Sequence, residues 1–172
     1  MKYLRSGFLY FVKIALIFIL TLILYFPMQL IFKFSAPNLI NSAEALLING
    51  IICGTIEIIL FFIVFNMDFR DEKVLDIKFF TIPFVIALIL QLIIASINHF
   101  YIYTAGCGVS FIGQFIQASK TGVIPQTPNE VPISYYLIST AIADILRYLA
   151  VFLAYIAAKQ KQKKEKEELF KK

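Results

Sequence analysis

The sequence predicts an all-α integral membrane protein, a bundle of four transmembrane helices with both termini cytoplasmic. Three observations carry this. Apolar residues gather in four runs, at about 8–32, 45–67, 79–103 and 134–158, each long enough to cross a bilayer. Basic residues cluster at one end of those runs. The few polar residues inside the runs share helix faces with small residues.

The chain is 60% hydrophobic and 16% charged, against about 25% charged in a soluble domain. The runs occupy most of the 172 residues, so positions 1–172 form a single membrane domain. The first run follows a basic start, Met1-Lys-Tyr-Leu-Arg5. Its apolar stretch is longer than a signal peptide requires, and Tyr25, Phe26 and Pro27 stand where a cleavage site needs small residues. It is read as a retained helix, with a polar break at Pro27-Met28-Gln29 that permits a kink.

The second run opens on Asn41-Ser-Ala-Glu44, which has the form of a capping box. A short inner connection of mixed charge leads to the third run, where Pro83 falls near the first turn, a tolerated position. Positions 104–133 form the longest connection, an outer loop. Its first half, VSFIGQFIQASK, suits a helix lying on the membrane surface or dipping between helices. Its second half has three prolines and reads as an extended strap. The fourth run passes into a basic cytoplasmic tail, 159–172, which is expected to prolong the helix and to attract anionic headgroups.

Orientation follows from charge. Of the 16 basic residues, all but Lys33, Lys120 and Arg147 lie at the N-terminus, between runs two and three, or after run four. Positive residues are retained on the cytoplasmic side, so both ends are placed inside and the number of spans must be even. Cys53 lies within run two and Cys107 in the outer loop. Their different depths argue against a disulfide.

The functional lead is the intramembrane polar set. Asp144 and Arg147 lie about 60° apart around one helix, on the side of Ala143, Ala150 and Ala154. Ile145, Leu149 and Phe152 occupy the other side. In run two, Gly50, Gly54 and Glu57 share a face, and in run three Ala87, Gln91 and Ala95 do the same. Small residues allow close helix contact in membranes. The cluster Glu57, Gln91, Asp144 and Arg147 is therefore expected to converge near the midplane, with Gly50, Gly54, Ala87, Ala95, Ala143, Ala150 and Ala154 as helix-packing positions. A charge there is costly and points to function by default, while an ion cluster that only fixes helix register is the competing expectation. Two carboxylates share one arginine, so full ionisation leaves a net negative charge. A proton or a cation is then expected to complete the site.

Asn98 and His99 are candidate outer-face residues near the end of run three. His99 with Cys107 lacks the basic, glycine-rich surroundings of the membrane peptidases that process signalling peptides. The single histidine excludes an HExxH site, and no cofactor or metal is expected. The tail lacks interleaved aromatics, which argues against nucleic acid. The expected protein is a multi-pass component of the plasma (inner) membrane. Abundant Ile, Phe and Lys with no Trp, a usage that suits AT-rich codons, point to a bacterium. It would act without enzymatic chemistry as an accessory, regulatory or protective component through helix contacts, with the bilayer, a second copy or a larger membrane protein as partner. The alternatives are a small proton- or cation-coupled transporter or channel subunit, and a membrane enzyme with its site in the outer loop.

Overall fold

A computed structural model describes residues 2–35, 42–71, 77–95, 107–125 and 130–169. These residues are almost all helical and contain no strand. Among the described residues five helices follow one another: α1 Lys2–Ser35, α2 Ala43–Asp71, α3 Ile77–Ala95, α4 Cys107–Thr121 and α5 Ile133–Leu169. Three of them, α1, α2 and α5, are long and apolar enough to cross a membrane. The apolar part of α3 is shorter, Phe80–Gln91.

The helices begin and end for local reasons. The Ser42 hydroxyl accepts from the Ala45 amide at 3.1 Å, satisfying one of the unpaired donors that open α2. The cap is thus Ser42, one position later than the capping box at Asn41 would place it. Asn41 lies outside the described residues. Helix α1 runs through Pro27 to Ser35, longer than the apolar run alone implies. Helix α4 stops at Gly122, whose φ of +70° places it in the left-handed region. Its amide donates to the Ala118 carbonyl at 2.9 Å, closing the last turn. Helix α5 continues to Leu169 as the tail predicts, with Lys161–Glu165 and Lys163–Glu167 pairs along its exposed side.

Ring contacts define the helix directions. Phe80 meets both Phe69 of α2 and Tyr155 of α5, and Phe84 meets Phe61, Phe65 and Tyr148. Helix α3 therefore climbs as α2 and α5 descend, and α2 and α5 run parallel. This aromatic ladder, with Ile14, Ile17 and Phe18 of α1 and Ala150, Val151 and Ala154 of α5, forms the core. It fills the half of the bundle nearer the basic end, where Lys13 of α1 and Asp68 of α2 pair. Edge-on and offset ring pairs contribute about 0.5–1.5 kcal/mol each beyond their buried area. That matters in lipid, where apolar burial gives helices little reason to associate.

Helix α1 packs chiefly on α3 and also on α2, while α4 lies along α2 and α5. The contact of α1 with α3 depends on Gly7. A β-carbon there would stand 2.6 Å from Ile86 Cγ2 and 3.3 Å from the Pro83 carbonyl oxygen, so only glycine admits this approach.

The third run is helical as far as it is described, to Ala95, and its expected continuation to position 103 lies outside the described residues. The first half of the long connection is helical, as α4, and packs against two long apolar helices, the second of the two placements its sequence suits. The expectation about the cysteines needs correction: Cys53 is disulfide-bonded, no cysteine is free among the described residues, and Cys107 is the only other one in the sequence. The depth inferred from sequence set Cys107 in an outer loop, whereas the helix that contains it lies along α2.

Candidate functional site

Glu57 is the middle residue of α2, and Arg147 lies near the middle of the apolar part of α5. The parallel packing of these helices brings the two together. Arg147 Nε and Nη2 both stand 2.6 Å from Glu57 Oε1, and Nη1 donates to Asp144 Oδ1 at 2.6 Å. The short separation of Asp144 and Arg147, one helical turn, lets a single guanidinium plane face both acids. All three side chains are withdrawn from the surface: Arg147 is 1% exposed, Glu57 3% and Asp144 8%.

Aromatic rings cover the guanidinium. Phe18 of α1 lies 4.7 Å from its central carbon and Phe61 of α2 lies 5.9 Å away. Arginine suits such a place because its flat, weakly hydrated cation stacks on rings while its edge hydrogen-bonds to carboxylates. Three helices thus meet at one cation: α2 and α5 through ionic bonds, α1 through a ring. The triad borders the aromatic core on the side away from the basic end.

The other sequence-selected positions divide clearly. Gln91 of α3 is fully buried, as are Ala87, Ala150 and Ala154, and Gly50 is buried on α2. Ala143 is half-buried. Ile145 and Leu149, placed on the lipid side of α5, are exposed. Gly54 is half-buried, and a β-carbon added there meets nothing within 4 Å among the described residues. Ala95 closes α3. Asn98 and His99 lie outside the described residues. Among the described residues no cysteine is free to pair with a histidine.

Sequence reasoning missed Phe18, Phe61, Gly7 and the Lys13–Asp68 pair. The last was legible in principle, because Lys13 interrupts an apolar run and Asp68 closes another. Both of its side chains remain about one-third exposed, so it belongs to the bundle's rim. Thr21, Ser139 and Thr140 are also buried; Thr21 and Ser139 turn their hydroxyls onto the carbonyls of Ile17 and Tyr135 one turn back, which satisfies them within their own helices.

Chemically, the triad has one cation and two carboxyl groups. With every group ionised it carries a net negative charge in a low-dielectric setting, which favours association with a further positive charge. Comparisons with protein-family models, curated proteins and solved structures find no match for this chain.

Proposed function

We propose that the chain is a small multi-pass protein of a bacterial plasma membrane, with four crossings and both ends cytoplasmic, which works without enzymatic chemistry as an accessory or regulatory component. Its long apolar helices provide the lipid-facing and partner-facing surface. The observation that carries this reading is that Arg147 donates to both Glu57 and Asp144 beneath two rings. The midplane charges then join helices rather than wait for a substrate. The disulfide supports the orientation, since such bonds persist in oxidising compartments and Cys53 lies on the side of the triad away from the basic end.

Purification from native membranes after in-cell crosslinking tests this. A stoichiometric membrane-protein partner or self-complex, and no ion flux from the pure protein in vesicles, is the expected result. Proton or cation flux that Asp144→Asn abolishes would replace this reading with a coupled transporter. One observation favours that second reading, the negative excess of the triad, because a site with two acids and one base has room for a transported positive charge.

A further inference from the structure

We propose that the Glu57–Arg147–Asp144 triad is a proton-binding site, that Asp144 is the group that takes the proton, and that the proton comes and goes only on the side of the membrane away from the basic end. The triad then registers the acidity of that compartment without passing protons across. This rests on the regulatory membrane-protein reading above and adds what the regulator responds to.

Charge balance asks for the proton. With both carboxyl groups ionised the buried triad carries one negative charge, which is costly away from water and is removed by a proton. The charges on the surrounding helices are distant or engaged. Lys13 of α1 pairs with Asp68, about 16 Å along α2 from Glu57. Lys78 lies in the first turn of α3. Lys120, the one charged residue of α4, sits beside Tyr135, about 18 Å along α5 from Arg147, and Lys159 lies about as far the other way. Helix α3 brings the buried amide of Gln91 and α1 the buried hydroxyl of Thr21. The further titratable groups on the bundle faces nearby are the phenols of Tyr25 and Tyr148. Hydrogen bonding directs the proton to Asp144. Glu57 Oε1 meets two guanidinium nitrogens, Nε and Nη2, and Asp144 Oδ1 meets Nη1, each at 2.6 Å. Neutralising Glu57 weakens two charge-assisted bonds, and neutralising Asp144 weakens one. Asp144 is also the more exposed acid. The proton passes from hydronium to Asp144 Oδ2 and leaves water behind. Oδ1 goes on accepting from Nη1, so the triad keeps its shape in both states.

The sidedness comes from the helix faces, which change character at the triad. Toward the basic end the α2 face continues from Glu57 as Phe61, Phe65 and Phe69, and the α5 face continues from Arg147 as Val151, Ala154 and Ala158, all buried. Phe80 and Phe84 of α3 pack against the α2 rings. Hydroxyls on this side are engaged, Thr81 with Tyr148 at 3.4 Å and Tyr155 with Lys159 at 3.3 Å. Away from the basic end the same faces are small and polar. On α2 they read Gly50, Cys53 and Gly54, and the space around Gly54 admits a β-carbon without contact among the described residues. On α5 the buried residues are Ser139 and Thr140. Thr140 lies one turn from Asp144, about 6 Å along the axis, a gap that a water bridges. Ser139 donates to the Tyr135 carbonyl, which leaves its oxygen able to accept. Tyr135 is half-buried one turn further out. The stripe Tyr135, Ser139, Thr140 and Asp144 leads from the far end of α5 to the triad. Among the described residues no such stripe leads there from the basic end.

Infrared difference spectroscopy of the full chain in sealed phosphatidylcholine–phosphatidylglycerol vesicles tests this, with the pH of each side set separately. Trypsin cleavage of the basic tail reports which way the protein faces. One sample carries ¹³C in its aspartate carboxyl groups and a second in its glutamate carboxyl groups. The other aspartates, Asp68, Asp71 and Asp76, lie at the basic end, so their signals follow the pH of that side. Acidifying the far side is expected to produce the carbonyl stretch of a protonated carboxylic acid that shifts with the aspartate label alone. Making the far side alkaline removes the band, and making the basic side alkaline leaves it in place. Asp144→Asn should lack it. Glu57→Gln should lose it at the same pH, because the remaining acid then balances Arg147; if either variant does not fold, the two labels still assign the band in the native protein. No such band at any pH at which the bundle stays folded would overturn the proton site. A band that shifts with the glutamate label would overturn the choice of Asp144, and one that follows the basic side, or both sides, would overturn the sidedness. The accessory reading fails separately, on ion flux or on the lack of a crosslinked partner.

Discussion

Removing the charge of Arg147 should cost far more than removing either acid. Arg147→Gln leaves Glu57 and Asp144 facing each other at 3% and 8% exposure with no cation between them. Breaking a buried pair from one side in this way costs about 3–5 kcal/mol. Glu57→Gln is different in kind. It gives up the ionic bonds to Glu57 Oε1, but it leaves Arg147 paired with Asp144 at 2.6 Å and brings the site to neutrality. Its expected cost is about 1–2 kcal/mol, in the range of a hydrogen bond to a charged group. Asp144→Asn also neutralises the site, keeps the Glu57 bonds and should cost about 1 kcal/mol. Each variant would be compared in mixed micelles by denaturant titration followed by near-ultraviolet circular dichroism of the aromatic core. An Arg147→Gln cost below about 1 kcal/mol, the ordinary size of a polar contact between membrane helices, would refute the reasoning. So would a Glu57→Gln cost equal to it, because the excess negative charge would then have no energetic consequence.

Other outcomes follow from the packing. Gly7→Val should destabilise by about 1–3 kcal/mol through overpacking against Ile86 and Pro83, while Gly54→Val stays within about 0.5 kcal/mol. The same micelle titrations separate the two. Cys53→Ser should cost about 2–4 kcal/mol by freeing the chain between α2 and α4. Mass spectrometry should find no alkylated cysteine in the denatured native protein until a reductant is added. Lys13→Ala and Asp68→Ala should each cost less than about 1 kcal/mol, because that pair is partly solvated. Gly122→Ala should cost about 1 kcal/mol, since its φ of +70° suits no side chain.

Much of the bundle was legible because helical periodicity reports faces. Glu57, Asp144 and Arg147 each share a face with small residues, and the α2 and α5 faces meet at one cation. Periodicity does not report the distance to a partner: Gly54 shares the polar face of α2, yet a β-carbon added there has open space around it. Gly7 was missed for the converse reason: it lies close to the N-terminal end of α1, with no stripe of small residues to mark it, yet α3 approaches there. The disulfide was argued away from an estimate of depth. That estimate treated 79–103 as one helix and put Cys107 outside the membrane. The rings over Arg147 were hidden among the 18 phenylalanines of the chain, any of which suits lipid as well as a guanidinium.

The central claim is that one arginine ties α2 to α5 within the bilayer. Solid-state NMR of the protein in lipid bilayers, with ¹⁵N in arginine and ¹³C in the carboxyl groups of glutamate and aspartate, measures it directly. The account predicts strong nitrogen–carbon dipolar dephasing from the Arg147 side chain to both Glu57 and Asp144, lost to one partner in Glu57→Gln and to the other in Asp144→Asn. An Arg147 guanidinium coupled instead to lipid phosphate or to mobile water, with neither carboxyl group close to it, would contradict the account.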